Sequence, residues 1–239
     1  MAEQILKSKT ALITGGSKGI GYAIAEAMVK EGMNVTMTAR NESQVKEAAE
    51  QLNALGMGRA LGLSCDVRNL DEQTKVVEQT LDSFGSLDTL IANAGMGHFA
   101  PVDEMPVEHW HEVIDVNLTG VFYSVKASVE ALKQSQGFII TISSLAGTNF
   151  FPAAFAYNAS KFGLTGMTQA MMLDLRKYGI KVSTIMPGSV STYFNDHTPS
   201  EADAWKIQPE DLAEMVIYLL KTPARTLPSK IEVRPSQPG

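Results

Sequence analysis

One cysteine, Cys65, stands alone in 239 residues, which excludes a disulfide within the chain. No apolar run reaches 18 residues, so no helix is predicted to span a membrane. Cations are outnumbered, 20 Lys and Arg against 26 Asp and Glu, and a net charge of −6 argues against a nucleic-acid groove. The four histidines, His98, His109, His111 and His197, form no H-E-x-x-H, and without a cysteine pair no metal centre is marked. A serine hydrolase would need a G-x-S-x-G elbow, and none is present. Repeats and low-complexity tracts are missing too. Met1-Ala2-Glu3-Gln4 lacks the basic and apolar regions of a secretory signal. With the lone thiol, this gives the expectation of a reducing, cytoplasmic setting.

What is present is a regular alternation. Strands are predicted at 10–14, 34–38, 60–64, 87–92, 137–143, 181–186 and 231–233. Helices are predicted at 20–31, 42–55, 71–83, 155–177 and 209–221, with a partly broken helical pattern over 107–133. Strands that are apolar throughout are covered on both faces, and their alternation with helices implies parallel pairing. Right-handed crossovers then give an α/β fold, a single doubly wound, Rossmann-like sheet with helices on both faces. No linker interrupts the chain, so residues 1–239 are read as one dinucleotide-binding and catalytic domain. Ligands in such sheets bind at the carboxyl ends of the strands. The chemically distinctive residues do follow strands.

After the first strand comes Thr14-Gly15-Gly16-Ser17-Lys18-Gly19-Ile20-Gly21. Glycines let a backbone turn sharply and approach a pyrophosphate, which a helix N-terminus attracts. The turn is no P-loop, because no Gly-Lys-Ser/Thr follows. After the second strand the chain reads Thr38-Ala39-Arg40-Asn41, with no carboxylate before Glu42. An acidic residue there suits a ribose 2′-hydroxyl, whereas a cation suits a 2′-phosphate. Arg40 and Lys18, with Ser17 as a hydroxyl donor, therefore favour NADPH (NADP+) over NADH.

Tyr157 and Lys161, in Ala156-Tyr157-Asn158-Ala159-Ser160-Lys161, are four apart and share one helix face. A cation there favours the phenolate. Lys161 is thus expected to hold the Tyr157 phenol below its ordinary value of about 10 and make it a better proton donor. Such a pair suits protonation or deprotonation of an alcohol oxygen.

Taken together, these residues resemble the short-chain dehydrogenase/reductase family. The glycine turn is similar to the family's T-G-x-x-x-G-x-G element, Asp66-Val67 to its adenine contact, and Asn93-Ala94-Gly95 to its N-A-G element. Asn117, Ser144, Tyr157 and Lys161 are similar to its catalytic four, in order and spacing. Pro187-Gly188, Val190 and Thr192 resemble its nicotinamide-binding segment. The likeness runs from about residue 8 to about 192 and is strongest to 3-oxoacyl-[acyl-carrier-protein] reductases and related carbonyl reductases.

The resemblance implies carbonyl reduction by hydride transfer. In it Tyr157 is the proton donor, and Lys161 also holds the nicotinamide ribose. Ser144, rather than the adjacent Ser143, contacts the substrate oxygen. Asn117 interrupts its helix and orders a proton-relaying water. It also implies a homodimer or homotetramer built on the helices around 107–133 and 155–177. The partner is a small-molecule carbonyl substrate, with an acyl carrier protein open as a second partner, docked on Arg176, Lys177 and Lys181.

A short substrate loop is expected at about 189–207. Leu145, Phe151, Tyr193 and Phe194, with Phe150 and Trp205, are expected to border an apolar pocket, and His98 to lie at the surface. Methionines 167, 171 and 172 read as packing. Two alternatives stay open: an NAD(P)-dependent alcohol or sugar-alcohol dehydrogenase working oxidatively, and a dinucleotide-binding sensor without turnover.

Overall fold

A computed structural model describes residues 6–237, and the reading of Met1–Gln4 lies outside them. Seven strands, β1 (Thr10–Thr14), β2 (Asn34–Ala39), β3 (Arg59–Ser64), β4 (Thr89–Ala92), β5 (Phe138–Ile142), β6 (Lys181–Pro187) and β7 (Lys230–Val233), form one sheet. Its order is β3-β2-β1-β4-β5-β6-β7 and every pairing is parallel. Among the described residues seven α-helices accompany it: α1 (Gly19–Lys30), α2 (Glu42–Asn53), α3 (Leu70–Phe84), α4 (Val107–Ile114), α5 (Gly120–Ser135), α6 (Phe155–Leu175) and α7 (Pro209–Leu220).

Side chains alternate across a strand, and the core divides accordingly. Ala11, Ile13, Val35, Met37, Ile140 and Ile185 face one layer, where they pack with Ile24 and Met28 of α1, Leu52 of α2 and Val216 of α7. Leu12, Leu90, Ile139 and Val182 face the other, against Val76 of α3, Val125 and Leu132 of α5, and Met171 and Met172 of α6. Both faces of the central strands are thus dry, as continuous apolar runs require. Met167 packs with Ala92, Val121 and Leu164, so all three methionines serve packing.

Helix ends follow local chemistry. Asn41 caps α2 through Gln44 N, and Asn69 caps α3 through the N–H groups of Asp71 and Glu72. Gln208 and Asp211 form a capping box on α7, with Pro209 in its first turn. The predicted break in the 107–133 helix is a π-helical turn over Asp115–Thr119 joining α4 to α5. Such single π turns are frequent at functional sites.

Candidate active site

The site lies along the carboxyl ends of β1, β4, β5 and β6, where the strand order departs from chain order between β1 and β4. Its first wall is the glycine turn. Gly15 has φ +68°, a conformation L side chains rarely adopt, and a Cβ there would lie 2.9 Å from the Ala94 Cα. A Cβ on Gly21 would run into the Gly15 carbonyl, so the turn closes only around glycine. Ser17, Lys18 and Gly19 lead into α1, with Ile20 packed on the core. Unlike α2, α3 and α7, α1 has no side-chain cap and no acidic residue in its first turn. Its N–H groups and positive dipole end suit an anion. Arg40 is exposed just beyond β2, and Lys18 Nζ sits 5.3 Å above the Tyr193 ring.

Thr14 joins this turn to the next loop, a role no sequence pattern announced. Its hydroxyl accepts from the N–H groups of Asn93 and Ala94, each at 3.1 Å. Asn93 Nδ2 donates back to the Thr14 and Gly15 carbonyls at 2.9 and 3.0 Å. Gly95 follows against Asn117 and Lys161: a Cβ there would be 3.4 Å from Asn117 Oδ1 and 3.6 Å from Lys161 Nζ. Asp66 is held by the Arg68 guanidinium, which with other contacts keeps its carboxyl below the usual range, and Val67 is buried against Gly120.

The four residues read as catalytic come together. The Tyr157 phenol lies beside Ser144, and Lys161 Nζ lies 5.7 Å from the Tyr157 ring centroid. Ser143 points the other way, toward Thr165 Oγ1 at 2.9 Å, which separates the two adjacent serines. Lys161 is 4 % exposed and donates to the Ile142 carbonyl at 3.0 Å. Burial, opposed by no anion, pulls its ammonium down to about 8.

The expectation of a phenol held below its ordinary value is corrected here. Burial pushes Tyr157 up, and the nearby Ser144 hydroxyl only offsets part of this. Burial disfavours the charged form of both side chains, and Lys161 does not bring the phenol down. Asn117 is fully buried, and its side chain bonds to Met96 N, Met96 O and Ser160 Oγ at 2.8, 2.8 and 3.0 Å. Both amide hydrogens are therefore committed to protein groups.

Pro187 ends β6 and Gly188 follows it, the Pro187 carbonyl 3.4 Å from Ser144 Oγ. Val190 bridges to Ile207, and Ser191 N donates to the Ile207 carbonyl, so the 191–207 segment is a strap pinned at its base. Thr192 crosses the glycine turn, its Cβ 3.6 Å from where a Gly19 Cβ would stand. Asp203 ties the strap internally, accepting from Lys206, from His197 Nε2 at 2.7 Å and from Ser200 N at 2.9 Å.

The residues expected to border the pocket lie in different surroundings. Phe194 packs on Tyr157 at 5.6 Å between centroids, joined by Phe99 at 5.5 Å, which sequence reasoning missed. Tyr193 turns toward Lys18, and Leu145 is buried beside Gly188. Phe151 is half exposed, its N–H donating to Asn158, and Phe150 stacks on Phe162 instead. Trp205 lines a separate surface hollow of about 650 Å³ with Met215, Tyr218 and Val233. His98 is partly buried, stacked on His109 at 3.9 Å and bonded to Glu112. Arg176, Lys177 and Lys181 sit where α6 ends and β6 begins, at the opposite end of the sheet from Tyr157, so they do not rim this cleft.

A profile of the short chain dehydrogenases matches residues 9–203. The chain belongs to the short-chain dehydrogenase/reductase family. The coarse activity class, an oxidoreductase, comes with that membership. Among its relatives, an uncharacterized oxidoreductase of Staphylococcus saprophyticus is 36% identical over 231 residues, 96% of this chain and 98% of that one. Two solved structures of the family superpose closely. An alcohol dehydrogenase from the archaeon Thermococcus sibiricus, complexed with 5-hydroxy-NADP, has a TM-score of 0.91 at 28% identity, covering 97% of this chain and 99% of its own. A metagenomic short-chain oxidoreductase in complex with NADP has a TM-score of 0.86 at 32% identity, covering 98% and 100%. Among the described residues no helix is long and apolar enough to cross a membrane, and no three His, Cys, Asp or Glu side chains group as a metal site.

Proposed function

We propose that this chain is an NADPH-dependent reductase of ketone or aldehyde carbonyls, in which Tyr157 donates the proton. The observation that carries the reading is the Tyr157 phenol set beside Ser144 and the buried Lys161 ammonium, at the same end of the sheet as an uncapped helix N-terminus. When bound, a reduced nicotinamide dinucleotide supplies the hydride. The residues fit such a group: the glycine turn and α1 would hold its pyrophosphate, Lys18 and Arg40 a 2′-phosphate, and Asn93 to Gly95 with Pro187 to Thr192 its nicotinamide end. The NADP of the two superposed relatives supports the same assignment.

Within this reading Ser144 donates to the substrate oxygen as negative charge develops on it. Tyr157 then passes its phenolic proton to that oxygen as general acid. Its raised value keeps the proton in place at neutral pH, so the phenol is always loaded. Lys161 holds the ribose hydroxyls and resupplies the proton. Alcohol oxidation is the same chemistry run backwards, and the archaeal relative's description as an alcohol dehydrogenase favours keeping that direction in the assay. A homo-oligomer is supported by exposed apolar side chains along the outer faces of α5 and α6: Phe122, Phe155, Phe162 and Leu173. Sedimentation at micromolar concentration tests it, and a monomer alone would reject it.

The deciding experiment follows NADPH oxidation over a panel of ketones, aldehydes and 3-oxoacyl thioesters, comparing wild type with Tyr157→Phe. Removing a general acid should cost about 10²–10⁴-fold in turnover, with NADPH binding retained. Full activity in the variant would remove the proposed donor.

A further inference from the structure

We infer that Phe99 and Phe194 form a clamp around the Tyr157 phenol that selects carbonyl compounds bearing an aryl or bulky alkyl group over polyhydroxylated or carboxylated ones. The inference rests on the reductase reading and adds the substrate class. The three rings form one mutual cluster. Phe99 and Phe194 each tilt against Tyr157 at 5.5 and 5.6 Å, and they meet each other edge-to-face at 6.4 Å. They arrive from separate places: Phe99 from the loop after β4, Phe194 from the strap after β6.

Both are set in place by backbone. A Cβ on Gly97 would lie 2.7 Å from Phe99 Cε2 and 2.9 Å from Phe194 Cζ, so glycine makes room for the two rings together. Immediately after Phe194, Asn195 and Asp196 both adopt left-handed φ, +56° and +58°, and reverse the chain there.

Phe99 remains 45 % exposed and Phe194 38 %, although both touch a catalytic side chain. A carbonyl oxygen delivered to Tyr157 brings its substituents against these uncovered rings. An aryl or alkyl group buries that surface with favourable stacking. A hydroxylated chain would lose its water there and find no hydrogen-bonding partner on either ring. A carboxylate would want a cation, and in this reading the nearby ones serve the dinucleotide: Lys18 its 2′-phosphate and Lys161 its ribose hydroxyls. His98, next to Phe99, is turned to Glu112.

The test uses the full chain with NADPH and four probes: acetophenone, cyclohexyl methyl ketone, dihydroxyacetone and pyruvate. Wild type should prefer the first two by at least about tenfold in kcat/KM. Phe99→Ala and Phe194→Ala should each erode that preference by about tenfold, chiefly through KM, with NADPH affinity unchanged. The leucine variants should restore the cyclohexyl ketone more than acetophenone. Preference for dihydroxyacetone or pyruvate, or an unchanged preference in both alanine variants, would overturn the clamp while leaving the reductase standing. Absence of turnover with every carbonyl would instead count against the reductase. In that case, ligand-observed NMR of acetophenone binding to wild type and Phe99→Ala decides on the clamp: loss in the variant supports it, and equal or no binding in both rejects it.

Discussion

Asn117 engages both main-chain polar groups of Met96, accepting from its N–H and donating to its carbonyl, each at 2.8 Å. One amide thus fastens the loop after β4 to the π turn between α4 and α5.

Asn117→Ala should therefore act on stability before chemistry. It leaves the Met96 N–H and carbonyl unpaired in a partly buried site, while Ser160 Oγ keeps its bond to the Tyr157 carbonyl, and each unpaired buried group costs about 1–3 kcal/mol. Urea unfolding should show a loss of about 2–4 kcal/mol. A loss under about 0.5 kcal/mol would mean that the loop is held by other contacts.

Arg40 is exposed at the end of β2, where no carboxylate competes for it before Glu42, itself paired with Lys46. Arg40→Asp should raise the Kd for NADPH by about tenfold or more, as the loss of a charge-assisted contact does. NADH binding should be unchanged or tighter. Fluorescence titration with both dinucleotides checks this, and equal effects would defeat the 2′-phosphate assignment.

The burial of Lys161 has a pH signature. Its folded value of about 8 lies below the ordinary 10.5, so between those limits the unfolded chain binds more protons and stability rises with pH. Below about pH 8 the cost of burying the ammonium is fully present. Ligand-free wild type should gain up to about 3 kcal/mol relative to Lys161→Met between pH 8 and 10.5. Parallel pH profiles for the two proteins would contradict it.

Asp203 gives a profile of the same sign in a more acidic window. The hydrogen bond from Lys206, then those from His197 and Ser200, hold its carboxyl well below the usual carboxylate range. A lowered acid contributes stability above its ordinary value and loses it only as the pH falls through the folded one. Hydrogen exchange in the 193–206 strap should stay slow in wild type at pH 4, and Asp203→Ala should exchange there as fast as a free loop at pH 7. Unchanged protection in the variant would show the strap to be held from its base alone.

Much of this was legible because it is local. The glycine turn, the apolar strands and the i, i+4 tyrosine–lysine pair each fit within a few residues, where backbone geometry dictates residue type. Element ends moved by a residue or two, as where α2 stops at Asn53 rather than Leu55. What escaped is long-range. Phe99 sits in a loop with no period, and its partner Phe194 lies far along the chain, so nothing marked the two as neighbours. Phe150 and Trp205 stand close to the cleft in sequence, but the fold packs Phe150 on Phe162 and sets Trp205 in a separate hollow. The direction of the Tyr157 shift depended on depth, which spacing does not encode.

The arrangement of β1 bears on how the chain comes to be folded. One flank of β1 is closed at once by its successor β2, but the other waits for β4, with Ala11 meeting Thr89. During synthesis the middle of the future sheet is therefore an open, sticky border until two further crossovers have been made. Acquisition of the native state is slow and liable to aggregation until that seam shuts.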